Sequence, residues 1–542
     1  MGLGKTLQAI AAMWALMAGG IDGRPACRRP LVICPSSLVA NWGREVDKWL
    51  GGRAMPVAVE NTEGGAVRRA LEGGPYRRSG GGGLPVLIMS YTTFRLHREQ
   101  VLACKPDVLI CDEAHLLKNK SSQIAVATSE VPTKMRLLLT GTPIQNNLLE
   151  FHALVDIANP GVLGDASQFH KHYEEPILRG RDAGASDGDI KRGEAASARL
   201  LEVCSKFLLR RNSSILQSYL PPKVEQVLSL CQRGVDPRDT KRSVRLSGFE
   251  GAAPLYRLPD ISPAYQEGRA QAYHSGKVLI LDCLLKAVRK AHPADKVVVV
   301  SNYTETLDMA AKMCLSSGWR FLKLDGSCAT KLRQNLVEQF NDEADASFVF
   351  LLSSKAGGVG LNIVGANRLV LLDPDWNPAN DLQAMARVWR EGQTKTVWIY
   401  RLLTTGTIEE KIYQRQLAKL GLCGAVVDDQ AAGNAKKFCM KELKSLFTVD
   451  PNAVCDTHTA IKCGCSGRGP KAGDALPRRE GNGQDVLSWG HFEDVSSSPD
   501  PIWDHVSKWI SSRFVTFVFC DHVAKQEKAG RDSVASGSSD VD

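Results

Sequence analysis

Four apolar residues, Val108-Leu109-Ile110-Cys111, run without a break into Asp112-Glu113-Ala114-His115. A run so short and so uniformly apolar suits a strand buried on both faces of a parallel sheet, and such a sheet offers its functional groups at the strand ends. Similar runs occupy residues 31–34, 86–89 and 136–139, each followed by a segment of helical period. A second series lies at 297–300, 321–324, 348–352, 368–372 and 397–402, with amphipathic stretches such as 331–340 between its members. The pattern predicts an α/β protein with two parallel-sheet lobes, 1–163 and 277–434. Residues 164–276 read as a helical insertion (about 165–220) and a Gly-, Pro- and Arg-rich linker (233–276). Residues 435–530 read as a small C-terminal domain, with one apolar run at 514–519, and 531–542 as a disordered tail. A chain of 542 residues excludes one small binding module.

The chain opens Met1-Gly2-Leu3-Gly4-Lys5-Thr6. This is the end of a phosphate-binding loop: glycines bring backbone N–H groups close to phosphate oxygens, Lys5 reaches the terminal phosphates, and the Thr6 hydroxyl takes a magnesium position. The loop's first position and the strand expected before it would precede Met1, so the chain is expected to be shorter than the working enzyme. Asp112, at the end of a buried strand, is the acid expected to order the same magnesium, and Glu113 the group expected to polarise an attacking water.

In the second lobe, Ser353-Ser354-Lys355-Ala356-Gly357-Gly358-Val359-Gly360 forms a small-residue turn after a strand, open to close approach by a phosphodiester or nucleotide. Further on, Arg387 and Arg390 stand three apart in Gln383-Ala384-Met385-Ala386-Arg387-Val388-Trp389-Arg390-Glu391-Gly392-Gln393. A helix through this segment would place both guanidinium groups on one face, where they could stabilise charge on a transferring phosphoryl group.

Together with Thr140-Gly141-Thr142-Pro143-Ile144-Gln145-Asn146, Pro35-Ser36-Ser37-Leu38 with Asn41-Trp42, and Asp373-Pro374-Asp375-Trp376-Asn377-Pro378, these motifs resemble the Swi/Snf-type double-stranded DNA translocases among the superfamily-two helicase-like ATPases. Segments such as Leu209-Arg210-Arg211, Leu324-Asp325-Gly326 and Gly406-Thr407-Ile408-Glu409-Glu410 look most like the recombination-repair subgroup. The resemblance implies RecA-like lobes, ATP and magnesium as cofactors, and catalytic roles for Lys5, Asp112, Glu113, Arg387 and Arg390. It implies nucleotide contacts from Gly2, Leu3, Gly4, Lys5, Thr6 and Gln393, and DNA contacts from Ser36, Ser37, Thr140, Lys355 and Gly358. It further implies double-stranded DNA and a strand-exchange recombinase filament as partners, in the nucleus. Residues 233–276 depart from the subgroup's helical bridge, and Ala114 stands where relatives often carry Gly. A nucleosome-remodelling ATPase and a truncated, inactive DNA-binding scaffold stay open as alternatives.

In the tail, Cys455-Asp456-Thr457-His458, Cys463-Gly464-Cys465 and His491 bring soft ligands together at short spacing. His458, Cys463, Cys465 and His491 fall at or near the zinc-binding positions of the subgroup, and Cys455 is the substitute ligand if Cys465 is displaced. The other cysteines among the 15 sit mostly singly in apolar runs, so a disulfide framework is not expected. Net charge is +9, yet residues 447–542 hold 10 Lys/Arg against 14 Asp/Glu, so the basic excess belongs to the body that would meet a polyanion. No run of about 18 apolar residues suggests a membrane partner.

Overall fold

The computed structural model describes residues 2–20, 23–60, 64–71, 76, 84–141, 148–180, 185–211, 213–230, 275–356, 361–427, 449–450, 453–461, 463, 465, 486, 489–495, 498–509 and 514–523. Residues 233–274 of the expected linker 233–276, Thr142–Asn146, Gly358 and the tail 531–542 lie outside them, while Ser275 and Gly276 begin the helix Gly276–Ala291.

The first sheet contains β1 (Pro30–Cys34), β2 (Ala54–Val59), β3 (Leu84–Ser90), β4 (Val108–Cys111) and β5 (Met135–Leu138) in the order β2-β3-β1-β4-β5, all parallel. The strands β1 and β4 are buried throughout, as expected for the middle of a sheet covered on both faces, whereas β5 at the edge is half-buried along its length. The helices Lys5–Ala18 and Val39–Leu50 cover one face, where Ile10, Met13, Trp42 and Val46 share a core with Val32 and Ile110.

The second sheet has eight strands: β6 (Lys223–Leu230), β7 (Val297–Ser301), β8 (Phe321–Leu324), β9 (Val349–Ser353), β10 (Arg368–Leu371), β11 (Val397–Thr404), β12 (Gly490–Phe492) and β13 (Val515–Val523). Their order is β12-β13-β6-β11-β10-β7-β9-β8, parallel from β6 onward and antiparallel at β12, β13 and β6. The tail therefore completes the second lobe's sheet, because β13 pairs with β6 over nearly its whole length. Between the lobes, the helices Leu148–Ala158, Glu175–Gly180 and Asp187–Ser205 close over their own core of Phe151, Phe169, Ile177, Leu200 and Cys204. Among the described residues no helix is long and apolar enough to cross a membrane.

Candidate nucleotide and nucleic-acid sites

The phosphate loop leads straight into the helix Lys5–Ala18. Gly2 and Gly4 hold φ of 77° and 69°, a left-handed conformation that side chains rarely tolerate. The 14-residue helix has no side-chain cap and no acid in its first turn. Its unsatisfied amides and positive dipole end are thus open to an anion. The chemistry of this donor set fits a polyphosphate.

Asp112 follows β4 directly and is 5% exposed. Its Oδ2 accepts from the Trp42 indole N–H at 2.9 Å, its Oδ1 from the Glu113 amide at 2.9 Å, and its carbonyl from the Tyr91 hydroxyl at 2.8 Å. Burial pushes its carboxyl above the ordinary value, while Trp42 and Lys5 oppose the rise. Glu113 adopts φ 51° and ψ 48°, left-handed for a residue with a side chain, which costs about 1–3 kcal/mol of strain. Burial would raise its carboxyl too, yet His115, Lys5 and Arg387 together hold it below the usual range. His115 Nδ1 stands 3.2 Å from Glu113 Oε2, near enough for attraction though poorly angled for a hydrogen bond.

Arg387 comes from the other lobe and is 9% exposed. Burial and the neighbouring Arg390 push its guanidinium down to about 10, and Glu113 pulls it back up. The electrostatic coupling of Arg387 to Glu113 thus spans the two sheets. Arg390 feels Glu45 of the first lobe, and its Nε is buried without a hydrogen-bond partner among the described residues. The expected common helix face for the two arginines is corrected: the helix Pro378–Met385 ends before them, and both lie in the turns that follow. The Arg387 carbonyl accepts from the Ile363 amide at 3.0 Å, which removes it from a helical ladder. Gln393 follows in the same segment; its side-chain amide donates to the carbonyls of Val364, Ala366 and Val388 and accepts from the amides of Thr394 and Lys395, so it staples its own turn.

Ser36 and Ser37 form the exposed and half-buried start of the turn Ser36–Leu38, directly before the helix that carries Trp42. Thr140 is half-buried beyond β5, and Gly358 lies outside the described residues. Lys355 is exposed on an open cavity of about 360 Å³ whose lining includes Asn302, Tyr303, Thr304, Arg333 and Ser353. Trp42 and Tyr91 are functional neighbours that local sequence pattern does not reveal as partners of Asp112.

In the tail, the ligand atoms of His458, Cys463, Cys465 and His491 all lie within 4.8 Å of one another. His458 Nε2 is 3.1 Å from Cys465 Sγ, and His491 Nδ1 is 3.4 and 3.3 Å from the sulfurs of Cys463 and Cys465. Tetrahedral zinc, with bonds of about 2.0–2.3 Å, needs donor separations close to these. The second ring nitrogen of His491 faces the Val486 carbonyl at 2.8 Å, the arrangement that aims Nδ1 at a metal. Burial lowers His458, favouring the neutral ligand form. Cys455 is not in this group: its Sγ donates to Glu410 and accepts from Ser229 and the His458 amide.

Residues 1–233 match the SNF2-related domain and residues 276–392 the helicase conserved C-terminal domain. The chain is 41% identical over 566 residues to the DNA repair and recombination protein RAD54-like of Gallus gallus, covering 97% of this chain and 76% of that protein. It is 40% identical over 578 residues to the Homo sapiens protein of the same name, covering 98% and 75%. It is 40% identical over 538 residues to RAD54 of Saccharomyces cerevisiae, covering 91% and 59%. Among solved structures, the Sulfolobus solfataricus SWI2/SNF2 ATPase core in complex with dsDNA matches with 25% identity and a TM-score of 0.35, over 83% of this chain and 92% of that one. The chain belongs to the RAD54-like family of SNF2-related proteins, DNA-dependent ATPases of DNA repair and recombination.

Proposed function

We propose that the chain converts ATP hydrolysis into movement along duplex DNA in homologous recombination and double-strand break repair, acting in the nucleus on DNA that carries a strand-exchange recombinase filament. The observation that carries this reading is the buried Asp112 at the end of β4, its Oδ2 held by the Trp42 indole at 2.9 Å, together with the left-handed Gly2 and Gly4 that lead into an uncapped helix at Lys5; the pull of Lys5 and Arg387 on Glu113 accords with it. Gly2, Leu3, Gly4 and Lys5 cradle the phosphates through backbone N–H groups and the lysine ammonium. Thr6 and Asp112 are the side chains that would hold magnesium, which when bound neutralises phosphate charge. Glu113 orients the attacking water and accepts its proton, and Arg387 with Arg390 stabilises charge on the transferring group. Ser36, Ser37, Thr140, Lys355 and Gly358 grip the DNA backbone from both lobes, so opening and closing the cleft moves one grip relative to the other. Contacts of this kind are largely independent of sequence and weaken steeply with salt.

The test is ATP turnover with and without duplex DNA. Turnover should rise with duplex, and Lys5→Ala should lower it by roughly a hundredfold. Turnover indifferent to DNA, or to Lys5→Ala, refutes the reading. Nucleosome sliding that ignores a recombinase filament would favour the remodelling alternative.

We also propose that His458, Cys463, Cys465 and His491 hold a structural zinc ion. It would staple a polar segment that has little core of its own. Elemental analysis of the purified chain should find close to one zinc per molecule. Cys465→Ser should lose the metal and lower the melting temperature, whereas Cys455→Ser should retain it. Zinc retained in Cys465→Ser and lost in Cys455→Ser would reassign the ligands.

A further inference from the structure

The side chain that braces the magnesium carboxylate comes from outside both nucleotide motifs. Trp42 is fully buried on the helix Val39–Leu50, and its indole N–H points at Asp112 Oδ2. That helix continues the turn Ser36–Leu38 without a break, and the Leu38 amide donates to the Pro35 carbonyl at 2.9 Å. On the opposite side Tyr91, the first residue of the helix Tyr91–Leu96, holds the Asp112 carbonyl. Val32 and Ile110 share the core that receives the indole. A carboxylate in such a place has few alternative partners, so losing one donor frees it to rotate rather than to find another.

We propose that Trp42 is a positioning residue that ties the orientation of Asp112 to the DNA-facing turn Ser36–Leu38. The inference rests on the functional reading above. DNA held at Ser36 and Ser37 fixes the start of the helix, the helix fixes the indole, and the indole N–H fixes the carboxylate plane toward the metal position. Duplex DNA should therefore lower the magnesium concentration that the chain needs, and should do so through this hydrogen bond.

The experiment uses the full chain and Trp42→Phe, which keeps a ring but removes the N–H. A fluorescent ATP analogue is titrated with magnesium and with EDTA, in the absence and presence of duplex. Wild type should bind the analogue more tightly with magnesium, and duplex should lower the half-saturating magnesium concentration. In Trp42→Phe that concentration should rise by about tenfold, as expected for losing one hydrogen bond to an ionised group, and should no longer respond to duplex. Affinity in EDTA and affinity for duplex should match wild type. If Trp42→Phe fails to fold, benzothienylalanine at position 42, which replaces the indole N–H by sulfur at nearly the same volume, gives the same readout, while Tyr91→Phe, which removes only the donor to the Asp112 carbonyl, should keep the response of the magnesium requirement to duplex. Unchanged magnesium dependence in the folded variants at position 42 overturns the role of Trp42 while leaving the ATPase reading intact. A wild-type chain that binds no nucleotide at all overturns that reading and this inference with it.

Discussion

Arg387→Ala is expected to slow duplex-stimulated ATP hydrolysis by about a thousandfold, with nucleotide and duplex affinity held within about twofold of wild type. The size follows from where the charge sits. At 9% exposure the guanidinium acts in a poorly hydrated site, where its attraction to charge developing on a phosphoryl group is screened far less than in water. Its charge acts on Glu113 of the other lobe, so its contribution is expected to depend on the closed arrangement and to appear in turnover rather than in ground-state binding. Arg387→Lys keeps the charge but loses the planar fork, and should recover only a small part of the loss. The pH dependence has a definite sign. A guanidinium lowered to about 10 is still protonated below that pH, so Arg387 should contribute no falling limb to the rate between about pH 7 and 9. Single-turnover hydrolysis with bound duplex measures all of this. A loss confined to nucleotide affinity would make Arg387 a ground-state contact instead.

The parts of this site that were legible in the sequence are those carried by contiguous residues. Gly2 to Thr6 and the strand running into Asp112 need no partner from elsewhere to be recognised. The strand β2 escaped local pattern reading because Pro56 interrupts it and its burial is mixed, features that an edge strand tolerates. The strand β6 escaped for a different reason. It reads Lys-Val-Glu-Gln-Val-Leu-Ser-Leu, too polar for an interior strand, yet it lies inside the eight-stranded sheet. Most of its polar groups find partners far along the chain: Glu225 in Arg401 at 2.8 Å, the Gln226 side-chain oxygen in the Trp503 indole at 2.8 Å, and Ser229 in Cys455, while the Gln226 Nε2 has no partner among the described residues. A period-based reading prices each residue by its neighbours in sequence, so it cannot see compensation that arrives across 176 or 277 residues. The same limit applies to Gln393, for which the family resemblance implies a nucleotide contact, while its five backbone partners become apparent only once the turn is folded.

Asp500→Ala should destabilise the second lobe by about 3 kcal/mol, the cost of taking from a buried charge one of its two acidic partners. Arg368 on β10 is 2% exposed and Asp500 from the tail is 1% exposed. The guanidinium meets Asp500 at 3.2 Å and Asp295 at 2.9 Å, and the Tyr400 hydroxyl bonds to both Arg368 and Asp500. Removing Asp500 leaves Arg368 with Asp295 as its remaining acidic partner and takes the carboxylate acceptor from the Tyr400 hydroxyl, in a core where water cannot replace the lost contacts. Replacing both members of the pair, as Arg368→Met with Asp500→Leu, should recover much of the loss, because well-packed apolar groups carry no desolvation penalty. Denaturation midpoints, with hydrogen exchange on β10 and β13, separate this outcome from a general loss of packing. If the tail were a loosely attached appendage, Asp500→Ala would leave exchange on β10 unchanged. Because β13 pairs with β6 and Trp503 bonds to Gln226, protection should instead fall together on β6, β10 and β13. The lobe that carries Arg387 would then depend on the tail for its rigidity, so a substitution far from the nucleotide would weaken hydrolysis by loosening the sheet behind the arginines.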